Sequence, residues 1–169
     1  PHSTNLDVQE AFTLEAWVYP TSSVNGAGVI TEEFTGGADR VQFELGFGLA
    51  PGGGTAPMVG FYTGGAWNTV ADPTNITNNT WTHIAGTYDG TTLKIYTNGV
   101  LRNSAAASGQ GVDTNSIWIG RRHDTGGTVD YFPGQIDDVR IYNHPRSAAQ
   151  IKTDMNDGAV RWGPATGAP

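Results

Sequence analysis

The chain has 169 residues and a formal net charge of −7, with 24 Gly, 9 Pro, 10% aromatic and only 15% charged residues. This length suits one domain with a sizeable core. The acidic balance disfavours a nucleic-acid partner, because binding to phosphates needs a concentrated basic face. No apolar run is long enough to predict membrane insertion, and the absence of cysteine excludes disulfides and thiolate metal sites.

The first half of the chain predicts a series of short strands. Apolar and polar residues alternate in several runs, and this period of two is typical of half-buried strands. Gly64-Gly65 separates two of the runs and predicts a hairpin. Residues 50–56 contain Pro51 and three consecutive glycines and predict a loop. The predicted strands cover residues 12–19, 29–30, 41–47, 58–62 and 67–71.

Residues 81–104 predict three consecutive antiparallel strands. Asp89-Gly90 and Asn98-Gly99 each lie between alternating runs. Both dipeptides favour the positive φ angles of type I′ turns, whose twist matches that of paired strands. Ile117 and Ile119 indicate a further strand, residues 124–130 a Gly-rich loop, and residues 132–142 a long strand with apolar positions at Ile136, Val139 and Ile141.

One short helix is predicted near the C-terminus. Ser147 and Gln150 form a capping box, and the residues that follow are compatible with a helix. Residues 1–157 are therefore assigned to one domain and residues 158–169, rich in Gly and Pro, to a linker or tail. About ten strands and one helix predict an all-β, two-sheet antiparallel sandwich or jelly roll.

Four segments carry a resemblance to a known family. They are FTLEAWVYP (12–20), WTHIAGTYDGTTLKIYTNGV (81–100), IWIGRR (117–122) and YFPGQIDDVRIYNHPRSAAQI (131–151). In this order they resemble the laminin G-like jelly-roll domains of large bacterial surface and secreted proteins. The resemblance implies a concanavalin A-like sandwich that serves as a binding module, often for glycans, inside a longer multidomain chain. It also implies a secreted or cell-surface location and, in many members, a structural calcium ion.

Asp137 is the first candidate calcium ligand. Alternation places it on the same face as Val139 and Ile141, which point inward, and an inward carboxylate is costly unless it is paired or bound to a metal. Calcium takes carboxylate and carbonyl oxygens. The alternative is that Asp137 accepts backbone N–H bonds or pairs with an arginine. The candidate metal ligands are Asp137, Asp138, Asp7 and Asn5.

Sugar binding needs flat apolar surfaces and a few oriented polar groups. Two groups of residues next to Gly-rich turns meet this description, and the candidate ligand-binding residues are Tyr62, Trp67, Asp72, Arg121, Arg122, His123 and Tyr131. Trp67 is equally compatible with a core position, and an ordinary surface role or salt bridge is the alternative for the two arginines. Three other tryptophans and one histidine lie within strand patterns and are expected to pack on the sandwich: Trp17, Trp81, Trp118 and His83.

Catalysis is the remaining alternative, because the superfamily also contains glycoside hydrolases and polysaccharide lyases. Its hydrolases typically carry a Glu-x-Asp-x-x-Glu strand, and this sequence has none: no glutamate is followed two places on by an aspartate among Glu10, Glu15, Glu32, Glu33 and Glu44. We therefore predict a non-catalytic carbohydrate-binding or adhesion module, with a structural or protein-binding spacer domain as the first alternative. Sugar binding predicts exposed, coplanar aromatic rings, a spacer predicts buried Tyr62 and Trp67, and an enzyme predicts two facing carboxylates.

Overall fold

The computed structural model describes residues 10–22, 25–33, 41–48, 54–109, 116–123 and 129–162. Within these residues the chain forms twelve strands and one helix, which confirms the predicted all-β fold with a C-terminal helix. The bounds are β1 Phe12–Pro20, β2 Gly28–Glu33, β3 Val41–Phe47, β4 Pro57–Thr63, β5 Ala66–Ala71, β6 Thr82–Tyr88, β7 Thr92–Thr97, β8 Val100–Ala106, β9 Ile117–Ile119, β10 Arg121–His123, β11 Val129–Tyr131, β12 Gly134–Tyr142 and α1 Ala148–Trp162.

Two five-stranded antiparallel sheets make the sandwich. Sheet 1 has the strand order β12-β1-β6-β7-β8, and sheet 2 has the order β5-β4-β3-β2-β9. The chain changes sheet after β1, after β5 and after β8, so each sheet contains strands from both halves of the sequence. Strands β10 and β11 form a separate two-stranded hairpin before the chain returns to sheet 1 in β12.

The core lies between the two sheets and is rich in aromatic rings. Alternate residues of β1 and β3 are fully buried there, as the sequence predicts. The ring of Phe12 in sheet 1 lies 5.9 Å from Phe43 and 5.8 Å from Tyr88, and Tyr88 lies 4.7 Å from Phe61. All three pairs are tilted, and their centroids lie within the range of about 4.5–7 Å in which aromatic rings attract each other. The cluster therefore joins the middle strands of sheet 1 to β3 and β4 of sheet 2.

The sheets approach closely at Gly86 of β6. A Cβ atom built there would lie 2.5 Å from the Cβ of Val59 in β4, on the opposite sheet. Val59 is itself fully buried in the core. Glycine at position 86 is therefore required by the space between the sheets rather than by its backbone conformation.

The three predicted hairpin turns have two different geometries. Asn98 and Gly99 both have positive φ, at 50° and 70°, and Gly64 and Gly65 have φ of 59° and 84°. Both turns match the positive φ angles of type I′. The type I′ prediction for Asp89-Gly90 is wrong, because only Gly90 has positive φ and the loop has three residues between β6 and β7. Asp89 stabilises this loop, because its Oδ1 accepts hydrogen bonds from the backbone N–H groups of Thr91 and Thr92.

Strand β12 contains a β-bulge that alternation did not predict. Trp17 of β1 pairs with Asp137, whereas Glu15 pairs with Arg140, so β12 carries one extra residue between these pairs. Asp138 has a φ of 47°, the left-handed conformation that such a bulge can require. Ile136 and Val139 consequently both pack against the core, although they are three residues apart.

Helix α1 begins at the predicted capping box. The backbone N–H of Ser147 donates to Oε1 of Gln150 at 2.9 Å, and the backbone N–H of Gln150 donates to the Ser147 hydroxyl at 3.3 Å. Ile151 packs with Ala85 and Tyr96 on the outer face of sheet 1. These contacts pack one face of the helix against the sandwich, while Ala148, Ala149 and Gln150 stay exposed.

A buried carboxylate joins helix α1 to the preceding segment. Asp154 accepts hydrogen bonds from Nε and Nη2 of Arg146 at 2.9 and 2.6 Å, and Nη1 of Arg140 lies 3.5 Å from it. The hydrogen bonds that Arg146 donates to Asp154 raise the pKa of Arg146 above its usual value. The helix is thereby held to both β12 and the segment that leads into it.

The helix is longer than the sequence predicts. It continues through Trp162, so it extends through residues 158–162 of the predicted linker or tail. Residues 163–169 lie outside the described residues, and the assignment of a linker there stays a prediction. In the described part of the chain, no helix has the length and apolar character needed to cross a membrane.

Candidate functional site

The outer face of sheet 2 carries the first pair of predicted ligand residues. Phe43, Leu45 and Phe47 point into the core, so the residues between them face outward. On the neighbouring β4–β5 hairpin, Tyr62 pairs with Trp67, and both side chains are half-buried. Their ring centroids are 5.7 Å apart and the ring planes meet at 64°. The pair is therefore neither buried nor coplanar.

The β10–β11 hairpin lies against strand β2 of this sheet. The hydroxyl of Thr31 in β2 donates to the backbone carbonyl of Arg121 at 2.9 Å. A Cβ at Gly28 would lie 2.7 Å from the same carbonyl oxygen and 3.0 Å from Cβ of Arg122. Glycine at position 28 therefore gives the hairpin the space to approach the sheet.

Arg122 forms a buried ion pair with Glu44. Its Nε lies 3.1 Å from Oε2 of Glu44, and the two side chains are only 11% and 0% exposed. The guanidinium carbon of Arg122 is 6.0 Å from the ring centroid of Trp67. Glu44 points outward from the middle of β3. It is therefore buried by side chains that cover the outer face of sheet 2, such as Arg122, and not by the core.

Arg121 stacks on Trp118, the outward-facing residue of β9. The guanidinium carbon lies 3.5 Å from the indole ring centroid, within the range of a cation–π interaction. Nη2 of Arg121 is 3.2 Å from Nδ1 of His123. Trp118 remains 38% exposed, and Tyr131, which pairs with Arg121 across the hairpin, is 68% exposed.

Six of the seven predicted ligand residues thus form two groups, which the neighbouring residues Arg121 and Arg122 connect: Trp67 contacts Tyr62 and Arg122, whereas Arg121 contacts His123 and pairs with Tyr131. We call them, with Trp118, the arginine–aromatic face: Tyr62, Trp67, Trp118, Arg121, Arg122, His123 and Tyr131. Two separate turn regions of the sequence supply it, and it joins the β4–β5 hairpin to the β10–β11 hairpin. Ligand binding by these residues stays a prediction.

Sequence reasoning missed the roles of Trp118 and Glu44 in this region. Trp118 was expected to pack on the sandwich, and this is wrong, because β9 is the edge strand of sheet 2 and Trp118 pairs with the outward-facing Thr31. Trp81, which does not belong to this face, was also expected to pack on the sandwich and is 40% exposed. Glu44 had one detectable signal, a charged residue in the middle of an alternating apolar strand, but alternation alone assigns such a residue to solvent.

His83, by contrast, is the structural histidine that was predicted. It is 2% exposed, and its Nε2 lies 3.5 Å from Oε2 of Glu15, which is fully buried. Its ring also meets that of Trp17 edge to face, with the centroids 5.5 Å apart. Trp17 is half-buried on the outer face of sheet 1, so it does pack on the sandwich.

Asp72, the seventh predicted ligand residue, lies apart from this face. It follows β5 and is only 1% exposed. Its carboxylate accepts hydrogen bonds from the hydroxyls of Thr97 and Thr74, both at 2.7 Å, and Nε of Arg102 lies 3.1 Å away. Burial raises the pKa of Asp72, but the hydrogen bonds from Thr97, Thr74 and Arg102 lower it more, so that it falls below 3.8.

This lowered pKa predicts a loss of stability in acid. A carboxylate whose pKa is lower in the folded state than in the unfolded state stabilises the protein above the unfolded value, about 3.9. That contribution disappears as the pH falls through the folded pKa. We expect the free energy of unfolding to fall less steeply between about pH 5 and pH 3 in Asp72→Asn than in the parent protein. Denaturant unfolding at several pH values measures this, and identical slopes would contradict it.

The predicted calcium ligands do not form a site among the described residues. The prediction that Asp137 points inward is wrong, because the bulge in β12 turns it to the exposed face, where its Oδ1 accepts the backbone N–H of Asp138 at 2.8 Å. Asp138 is exposed as well. The described residues include no group of three His, Asp or Glu side chains that could hold a metal ion. Asn5 and Asp7 lie outside the described residues, so calcium binding stays a prediction.

The two fully buried glutamates do not meet. Glu15 belongs to β1 of sheet 1 and Glu44 to β3 of sheet 2. Each points away from the core, because its strand neighbours are core residues. They therefore lie on opposite outer faces of the sandwich, and they do not make the close carboxylate pair that glycoside hydrolysis requires.

Comparison with known families agrees with this architecture. The family model of the concanavalin A-like lectin/glucanases superfamily, of the laminin G type, matches residues 1–152. Among curated protein sequences, none matches the chain.

Several solved structures share the fold. A Bacteroides ovatus protein, described as a candidate carbohydrate-binding protein, is 23% identical with a TM-score of 0.70, over 90% of this chain and 42% of its own length. Domain 4 of an extracellular arabinanase from Geobacillus stearothermophilus, in complex with arabinotriose, is 20% identical with a TM-score of 0.69. The match covers 89% of this chain and 69% of that one. A carbohydrate-binding domain of a Ruminococcus gnavus sialidase, bound to sialyllactose, is 17% identical with a TM-score of 0.68. The match covers 86% of this chain and 83% of that one. At these identities the likeness establishes the fold alone.

Proposed function

Because the chain belongs to the laminin G-type family of the concanavalin A-like lectin/glucanases superfamily, we propose that it is a non-catalytic carbohydrate-binding module of a larger extracellular protein. Two proteins of the same fold are described in complex with arabinotriose and with sialyllactose, and one of them is extracellular. The chain spans only 42% of the Bacteroides ovatus protein. A module of this size next to other domains is consistent with these relatives.

The stack of Arg121 on Trp118 carries the proposal. A sugar ring has an apolar face and a rim of hydroxyl groups, so it is recognised by an aromatic surface with hydrogen-bond donors beside it. Trp118 and Tyr131 are exposed large aromatic residues, and Arg121 and His123 supply polar groups next to them. Arg122 is already paired with Glu44, and we assign it to holding the hairpin in place.

Two alternatives receive less support. A spacer domain predicts buried aromatic residues, whereas Tyr62 and Trp67 are half-buried and Trp118 and Tyr131 are exposed. A glycoside hydrolase requires a carboxylate that reaches its substrate, whereas Glu44 is fully buried beside Arg122.

A glycan array tests the proposal. We expect the parent protein to bind one class of glycan, and Trp118→Ala to weaken that binding by about tenfold or more, since central aromatic residues dominate such sites. The matched control is Leu101→Ala, which removes another exposed large apolar side chain, on β8. Arg121→Lys, which keeps the charge and loses the planar stack, is expected to weaken binding as well.

The outcomes separate the alternatives. Binding that survives unchanged in Trp118→Ala, or that Leu101→Ala weakens as much as Trp118→Ala does, would contradict the proposed site. Absence of binding to any glycan, from a sample whose circular dichroism shows a folded sandwich, would favour the spacer. The array is run in calcium and in chelator, and glycan binding that disappears in chelator would support the predicted calcium ion.

A further inference from the structure

A depression lies at a different place in the fold from the arginine–aromatic face. It has a volume of about 410 Å³ and is formed by the loop between β5 and β6 together with the turn between β7 and β8. Volumes of a few hundred Å³ are typical of small-molecule sites. The residues that matter for its chemistry are Asp72, Asn75, Thr77, Thr80, Trp81 and Arg102. None of them belongs to the arginine–aromatic face.

Trp81 provides an aromatic surface in this depression. It is 40% exposed, although the sequence placed it with the packed tryptophans. The ring of Tyr19 lies 5.6 Å away at an angle of 52°. Tyr19 therefore supports the indole from one side, while a substantial part of the ring stays accessible to a ligand.

Uncommitted polar groups lie on the same loop. Asn75, Thr77 and Thr80 are exposed, and within the described residues their side chains make no hydrogen bond. Hydroxyl and amide groups both donate and accept. These side chains match the hydroxyl groups of a sugar, which also donate and accept hydrogen bonds.

The charges in the depression favour a neutral ligand. Nε of Arg102 lies 3.1 Å from the buried carboxylate of Asp72, and its Nη2 donates to the Thr74 hydroxyl at 2.8 Å. The arginine charge is thus balanced within the protein. An anionic ligand would have to compete with Asp72 for the same guanidinium.

The walls of the depression are held in place before any ligand binds. The backbone of Ile76 exchanges two hydrogen bonds with Thr55, at 3.0 and 2.9 Å. The backbone N–H of Asn79 donates to the carbonyl of Pro20 at 2.7 Å, and the side chain of Asn98 accepts from the backbone of His83 at 3.0 Å. A preorganised loop loses less conformational entropy on binding.

We propose that this depression is a second carbohydrate site, specific for a neutral sugar ring that packs on Trp81 and hydrogen-bonds to Asn75, Thr77 and Thr80. The domain would then contact a glycan at two places on different loops. Two weak sites on one module increase the avidity for a polymer without any new contact.

The test follows the indole N–H signals of the five tryptophans in a proton–nitrogen correlation spectrum, with the Trp81 signal assigned from Trp81→Phe. The probes are methyl α-glucoside, methyl β-galactoside, methyl α-arabinofuranoside and the anionic methyl β-glucuronide, each up to about 50 mM, because single sugars bind weakly. We expect at least one neutral glycoside to shift the Trp81 signal in a saturable manner. The glucuronide is expected to bind more weakly.

Two variants make the test specific. The double variant Thr77→Val and Thr80→Val keeps the side-chain shapes and removes both hydroxyls. It is expected to weaken binding of the neutral glycoside by about tenfold. Trp118→Ala is expected to leave the Trp81 shift unchanged, so failure of either site can be recognised separately. The proposal is overturned if no neutral glycoside shifts the Trp81 signal, if the glucuronide binds more tightly, or if the double valine variant binds as the parent does.

Discussion

Replacing Arg122 with alanine is expected to lower the free energy of unfolding by about 3–5 kcal/mol, the range measured when one partner of a buried ion pair is removed. Glu44 is fully buried and its Oε2 lies 3.1 Å from Nε of Arg122. Without this cation a carboxylate would remain in a site that water does not reach. Denaturant unfolding of the parent protein and the variant measures the difference.

Two further variants show whether the buried charge causes the loss. Arg121→Ala removes the neighbouring arginine, which stacks on Trp118 and contacts His123, and is expected to cost less, about 1 kcal/mol. The double variant Glu44→Leu and Arg122→Leu removes both charges and is expected to be more stable than Arg122→Ala, because no buried charge is left alone. A double variant less stable than Arg122→Ala would contradict this explanation.

Replacing Gly86 with alanine is expected to destabilise the sandwich by about 1–3 kcal/mol, the usual cost of overpacking a core. The new methyl group would lie 2.5 Å from the Cβ of Val59, which cannot move away as a flexible side-chain end would. The φ angle of Gly86 lies outside the left-handed region, so backbone strain adds nothing. Thermal and denaturant unfolding measure the effect.

A second substitution on the facing sheet tests the cause. Val59→Ala alone leaves a small cavity and is expected to cost about 1–2 kcal/mol. Combined with Gly86→Ala, it removes the clash, so the double variant is expected to lose less stability than the sum of the two single losses. Strict additivity would show that the two residues do not compete for the same space.

These effects decide how binding data are interpreted. Arg122 lies on the arginine–aromatic face, but its removal is expected to disturb the fold, so a loss of glycan binding in that variant does not identify a ligand contact. Trp118 and Tyr131 are exposed, and their replacement leaves the core intact. They are the residues at which a loss of binding reports on recognition itself.

The sequence by itself determined the layers of this protein. Alternation identified the residues of β1 and β3 that face the core, since side chains in a strand with one buried face point inward at every second position. Local chemistry located two of the hairpin turns, Gly64-Gly65 and Asn98-Gly99, and the start of helix α1. These features depend on neighbours within a few residues, so a single sequence contains the information.

The tertiary structure decided what each outer face presents. A single extra residue in β12 turned Asp137 outward, because a shift of one residue moves a strand's side chains to the other face. Trp118 is exposed because β9 is an edge strand, and Glu44 is buried because Arg122 comes from a hairpin 78 positions along the chain. Strand order, bulges and the packing of distant segments set these positions, and periodicity along the chain does not record them.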